Sequence, residues 1–473
     1  MKISCLIFLI LVFAGFDVYS QPYTLEIQIK NQPHNNIVLG KITGDDFQPL
    51  DTILFHRGNS KVAENSKKAE YTFPEKMEPG MYRLVFGKTT YAKVMGDSPQ
   101  QLDFIFNYEN LIFETDFKAP AENLLVVLSE ENRVWFEFLK RHKEYQEKIN
   151  LLELEIDYYR NKGNEVTKSG TPVAELITRF NTLRQQREDF INEIVVRNPK
   201  LFASRLINMY REPIPDGHLS KKVRREIFQK EFFSLHDFTD ETLINSTIYT
   251  DRIFYYLASY NRSAYTKEQL EKEYIKAVDM VLANTNENLN VYEFILEYLV
   301  NGFEVLKMNS VLNYIADNYA GTTCQTDEKT TLERKLEAQK MRPGTVIPDF
   351  SLTNFEGLET KLSEVQKEKT LILFWASWCP HCIDMLPLIK SWADGQNNLE
   401  IVTVSLDTSF LEWQDAVKKL KIENWINLSD LKKWDGKVTT ALNIYATPTM
   451  FLIDKERKIL AKPITVQDLM HLN

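Results

Sequence analysis

The chain has 473 residues, which at roughly 150 per domain suggests about three domains. Apolar residues at 44% and charged residues at 26% exclude wholesale disorder. A net charge of −9, from 57 basic and 66 acidic residues, argues against phosphate-backbone binding, so no nucleic-acid partner is expected; 16 glycines and 4 cysteines exclude collagen-like and disulfide-stapled scaffolds.

Residues 1–20 read as an export signal: Lys2 precedes an apolar run over 3–16, and Val18-Tyr19-Ser20 offers small residues for cleavage after Ser20. An uncleaved anchor is the alternative, but the run is shorter than the roughly 20 residues that span a bilayer. Cys5 lies inside the run rather than at its end, so lipid attachment there is not expected. The expected location is the periplasm or cell envelope, where disulfides persist and where the redox state of Cys324, Cys379 and Cys382 can matter.

Residues 21–118 predict an all-β sandwich or barrel. Leu25, Ile27 and Ile29 alternate with polar neighbours, and short runs follow at 36–42, 51–55, 81–86, 102–106 and 111–115. Gly44-Asp45-Asp46, Arg57-Gly58-Asn59 and Pro79-Gly80 are turn signals between them.

From 119 to 340 the period becomes helical. Trp135, Phe138, His142, Tyr145, Ile149, Leu152, Ile156 and Tyr159 recur at spacings of three and four. Val173, Leu176, Phe180, Leu183, Phe190 and Ile194 repeat the pattern after breaks at Lys162-Gly163-Asn164 and Ser169-Gly170, which predicts a long antiparallel helical hairpin. Further helices are expected near 200–211, 221–235, 250–260, 266–284, 289–305 and 307–319, and the Tyr255, Tyr256, Tyr260 stripe reads as core.

Residues 341–473 alternate apolar strands, at 371–375, 399–406 and 450–453, with helices at 384–392 and 410–420, as an α/β sheet does. The chemistry-bearing stretch is Trp378-Cys379-Pro380-His381-Cys382, where a buried strand gives way to a helix. Unpaired amides and the positive end of the helix dipole favour a thiolate at Cys379, the attacking species in disulfide exchange. Pro380 suits the first turn, a charged His381 would stabilise the thiolate further, and Cys382 can displace a mixed disulfide. A structural disulfide stays open as an alternative. No second Cys/Cys or His/His pair follows at ligand spacing, so neither a metal nor a cofactor is expected.

Residues 341–473 resemble the TlpA/ResA-like thioredoxin-fold thiol–disulfide oxidoreductases. The resemblance rests on Pro348-Asp349-Phe350, Trp375-Ala376-Ser377-Trp378-Cys379-Pro380-His381-Cys382, Pro387, and Thr447-Pro448-Thr449 leading into Phe451-Leu452-Ile453-Asp454. It implies that Pro448 is cis beside the cysteines, that Thr447 offers its backbone to an extended substrate strand, and that Trp378 gives an apolar surface by the sulfur. Pro79-Gly80-Met81-Tyr82-Arg83-Leu84 and Ser129-Glu130-Glu131-Asn132 are similar to a β domain of unknown function that precedes such modules in Gram-negative envelopes; 237–260 is similar to a helical domain found between the two. Two departures stand out: Met385 replaces a Glu three residues after the second cysteine, and Leu373 replaces a buried acid, leaving His381, Asp384 or water to handle the proton.

The implied function is exchange of disulfides with envelope proteins through Cys379 and Cys382. The resemblance favours a reductase recharged by a membrane electron donor, although the Pro-His pair is like that of oxidising members. The alternative is a non-catalytic envelope interaction protein that uses the thioredoxin domain for docking; a holdase role for the helical hairpin is a third. Cys324 is expected as a buried free thiol, or as a partner for Cys379.

Overall fold

The computed structural model describes residues 22–55, 66–162, 172–320, 330–365 and 367–472. The export signal with Cys5, the Arg57-Gly58-Asn59 turn, the Gly163-Asn164 and Ser169-Gly170 breaks, and Cys324 lie outside the described residues. The chain divides into two compact units, Met1–Ser259 and Tyr260–Asn473.

The first unit opens with β1 (Thr24–Lys30), β2 (Asn36–Thr43), β3 (Asp46–Leu54), β4 (Ser66–Thr72), β5 (Gly80–Gly87), a short helix α1 (Thr90–Met95), β6 (Gln100–Phe106), β7 (Leu111–Asp116) and β8 (Leu125–Leu128). They form two four-stranded sheets, ordered β4-β1-β7-β8 and β3-β2-β5-β6. Alternation decides which face is inside: Leu25, Ile27 and Ile29 of one sheet share a core with Leu39, Leu84 and Phe104 of the other. The domain is a sandwich, not a barrel.

Two long helices follow, α2 (Glu130–Asn161) and α3 (Pro172–Arg197), then α4 (Phe202–Asn208), α5 (Lys221–Glu231) and α6 (Ile248–Ala258). The first two form the expected antiparallel hairpin: Ile156 and Val173 meet in one core, and Phe138 stacks on Phe190 at 6.1 Å further along. Tyr256 is fully buried, with its hydroxyl donating to the Gln229 carbonyl, so this member of the aromatic stripe is core. The Ser129-Glu130-Glu131-Asn132 segment is a structural joint. Asn132, fully buried, exchanges two hydrogen bonds with the Ile105 backbone (2.8 and 2.7 Å), and Glu131 accepts the Phe202 and Ala203 amides (2.9 and 2.7 Å). Pro79-Gly80-Met81 is another. The Met81 amide donates to the Asn245 carbonyl at 2.7 Å, and a Cβ on Gly80 would lie 2.7 Å from that same oxygen.

The second unit begins with α7 (Lys267–Ala283), α8 (Leu289–Val305), α9 (Asn309–Tyr319) and α10 (Thr331–Lys340). The α/β part comprises β9 (Ser351–Thr353), β10 (Glu359–Lys361), β11 (Lys369–Trp375), α11 (Pro380–Ala393), β12 (Leu399–Ser405), α12 (Phe410–Leu420), β13 (Ile426–Ser429), α13 (Lys437–Ala441), β14 (Thr449–Asp454), β15 (Ile459–Ala461) and α14 (Val466–Met470). Its seven-stranded sheet runs β10-β9-β13-β12-β11-β14-β15, with β11 central, parallel to β12 and antiparallel to β14. That is a thioredoxin-like α/β domain. Its residues 370–375 are all buried, which explains the unbroken apolar run of β11, with Leu373 a wholly buried core residue. Among the described residues, no helix is long and apolar enough to cross a membrane.

Candidate functional site

The site forms where β11 ends. Leu406 donates its amide to the Trp375 carbonyl at 2.8 Å, extending the β11–β12 pairing by one step, and the chain then turns through Ala376–Trp378 into α11. Cys379 is the N-cap of that helix, with extended backbone angles, and Pro380 opens the first turn, where no amide is needed. The Cys379 Sγ accepts the Cys382 amide at 3.3 Å and donates to the Thr447 carbonyl at 3.5 Å. A sulfur in the N-cap position takes the place of the usual Ser or Asp oxygen and faces the positive end of the helix dipole, a setting that favours an anion.

The two thiols differ in access. Cys379 is 5% exposed and Cys382 0% exposed, both as free thiols, so Cys379 is the more accessible of the two. Burial, followed by the neighbouring Cys379 sulfur, pushes the Cys382 thiol well above its ordinary range. Cys382 is thus more fully enclosed than its place one helical turn along suggests.

The other expected residues surround this pair unequally. The Thr447–Pro448 peptide is cis, and the Thr447 carbonyl lies against Cys379, so β14 brings both residues to the sulfur. Trp378 is 47% exposed beside Cys379, an apolar face open to a ligand. Pro380, His381 and Asp384 are exposed on the helix, while Met385 is half-buried.

Sequence reasoning missed three neighbours. Asp407, wholly buried, accepts the Ser377 amide (3.2 and 3.1 Å), the Ser377 hydroxyl (2.6 Å) and the Ser405 hydroxyl (2.6 Å), which locks the turn before Cys379. Its signal was a lone acid just past the apolar run of β12, where the ends of parallel strands gather a site. Trp434 meets the Trp378 ring edge-on at 6.2 Å, and Lys433 Nζ sits 5.0 Å from the Trp378 ring centroid. Neither carries a local motif.

A rival lies in the first unit, a cavity of about 340 Å³ lined by Arg184, Arg187, Arg224, Glu153 and Glu212 among others. Several of its charged groups have partners. Arg187 pairs with Glu188 and Glu212, Arg224 pairs with Glu153, and Arg184 donates to the Pro213 and Pro215 carbonyls. Its wall also carries Lys221, Arg225 and Ser259, so basic residues outnumber acidic ones there, and no cysteine lines it. Among the described residues, no group of three or more His, Cys, Asp or Glu is placed to hold a metal.

Residues 343–462 match the family described as AhpC/TSA. The thiol–disulfide oxidoreductase ResA of Bacillus cereus is 25% identical over 136 residues, which is 28% of this chain and 75% of the relative. The sporulation thiol–disulfide oxidoreductase A of Bacillus subtilis is 29% identical over 128 residues, 26% of this chain and 74% of the relative. A solved thiol–disulfide oxidoreductase from Bacteroides fragilis is 27% identical, with 27% of this chain and 96% of that one covered and a TM-score of 0.25. The C-terminal domain is thus of the AhpC/TSA thioredoxin-fold type with ResA-like relatives, and those relatives support a thiol–disulfide oxidoreductase function for it.

Proposed function

We propose that this thioredoxin-fold domain exchanges disulfides with exported client proteins through Cys379 and Cys382, and that it acts as a reductase. The observation that carries the reading is the placement of the Cys379 sulfur at the helix N-cap, between the Cys382 amide and the Thr447 carbonyl. The Cys379 thiolate attacks one client sulfur, and the second client sulfur leaves as a thiolate and is protonated from solvent. Cys382 then loses its proton and attacks Cys379 Sγ, which releases the first client sulfur and leaves a Cys379–Cys382 disulfide. A dithiol donor, on this proposal one held at the membrane, returns the pair to the reduced state. The Thr447 backbone takes the client segment as an added strand, with Pro448 and Trp378 bordering it.

The envelope location is part of the proposal and is supported by Lys2, the apolar run over 3–16 and Val18-Tyr19-Ser20. Insulin reduction tests the activity: Cys379→Ser should abolish it, and full activity in that variant overturns the reading. The potential of the couple tests the direction, since a value near about −270 mV indicates a reductase and one near about −120 mV an oxidant.

A further inference from the structure

Two loops at the Cys379 site, one meeting the sulfur through Thr447 and the other meeting Trp378 through Trp434, are held by helices from outside the α/β domain. Tyr445, two residues before Thr447, donates its hydroxyl to Glu304 on α8 at 2.9 Å. Glu304 is also paired with Lys335 of α10, whose Nζ sits 5.7 Å from the Tyr445 ring centroid. On the other side, Arg334 of α10 donates to the Trp434 carbonyl at 3.2 Å, and Trp434 packs against Trp378, the residue before Cys379. Two successive residues of one helix therefore reach the loop that meets the reactive sulfur and the loop that meets Trp378. A third contact, from Lys462 Nζ to the Ala338 carbonyl at 2.8 Å, fastens the far edge of β14 and β15 to the same helix.

We infer that α8 and α10 position the client-binding groove: Glu304 and Lys335 hold Tyr445, and with it the Thr447–Pro448 edge, while Arg334 holds Trp434 against Trp378. The inference rests on the disulfide-exchange reading and deepens it. An added strand needs the Thr447 backbone at a set height beside the sulfur, whereas a small disulfide needs only the sulfur. Glu304, Lys335 and Arg334 are positioning residues for extended polypeptide disulfides. Simple domain packing would cost stability but would not discriminate between large and small substrates.

The test uses the full chain and compares reduction of insulin with reduction of a small aromatic disulfide reagent. Tyr445→Phe and Glu304→Ala should each lower kcat/KM for insulin about tenfold, carried by KM, because each removes a hydrogen bond involving a carboxylate. The rate with the small disulfide should stay within about twofold of wild type. Glu304→Gln, which keeps an acceptor for Tyr445, should restore most of the insulin activity. Should Glu304→Ala not fold, Tyr445→Phe, which lacks a single hydroxyl, carries the comparison. Equal losses with both substrates, or none with either, overturn the inference. A wild-type chain that reduces neither substrate defeats the exchange reading itself, and the inference with it.

Discussion

Cys379 and Cys382 are three residues apart, yet they sit in different environments, and that difference can be measured. Burial holds the Cys382 thiol neutral in the fold after it would ionise in the unfolded chain. The sign follows: stability is unaffected below the ordinary thiol value of 9.0 and falls as pH rises from there towards about 12. Cys382→Ser should flatten that alkaline loss in urea melts taken across pH, and an unchanged slope would contradict it. The same substitution should leave clients attached to Cys379, visible as mixed disulfides on non-reducing gels. Asp407 is the other decisive residue. Asp407→Ala leaves the Ser377 amide and two hydroxyls without their acceptor, which should cost about 1–3 kcal/mol in denaturant unfolding and slow alkylation of Cys379. The cysteine pair was legible because its chemistry is packed into one short stretch. Asp407 and Trp434 were not, since each meets the site only through folding from tens of residues away.

At the scale of elements, the sequence was clear where a long strand or helix faces a core and silent where an element is short or forms a rim. The alternating strands β1, β5, β6 and β7 and the hairpin α2–α3 all bury a periodic apolar face. In the sandwich the strands missed, β4 and β8, are the two outer strands of their sheet: β4 buries Ala69 alone, and β8 leaves Leu125, Val127 and Leu128 about half exposed. In the α/β domain β9, β10, β13 and β15 were missed too, each only three or four residues long. The joints between elements were visible only as resemblance. Ser129-Glu130-Glu131-Asn132 has a physical explanation in the buried Asn132, which satisfies the Ile105 amide and carbonyl together. Asn132→Ala should therefore cost about 2 kcal/mol or more, read from the urea midpoint, because it strands two buried backbone groups.

For the whole molecule, composition and periodicity give three fold types in the right order, with a junction at Met341 between helices and sheet. The compact units divide elsewhere, after Ser259, and α7–α10 belong with the α/β part. The reason is side-chain traffic across Met341 that no local pattern reveals: Arg342 pairs with Asp317, Lys462 reaches Ala338, and Tyr445 reaches Glu304. Residues 341–473 alone should melt roughly 5 °C or more below residues 260–473, a difference calorimetry would resolve. The place of Trp378 immediately before Cys379 has an optical consequence. An indole beside a cysteine pair loses emission when the sulfurs join, so the chain should brighten on reduction without any dye. Trp378→Phe should remove most of that change, and turnover could then be followed in real time by light alone.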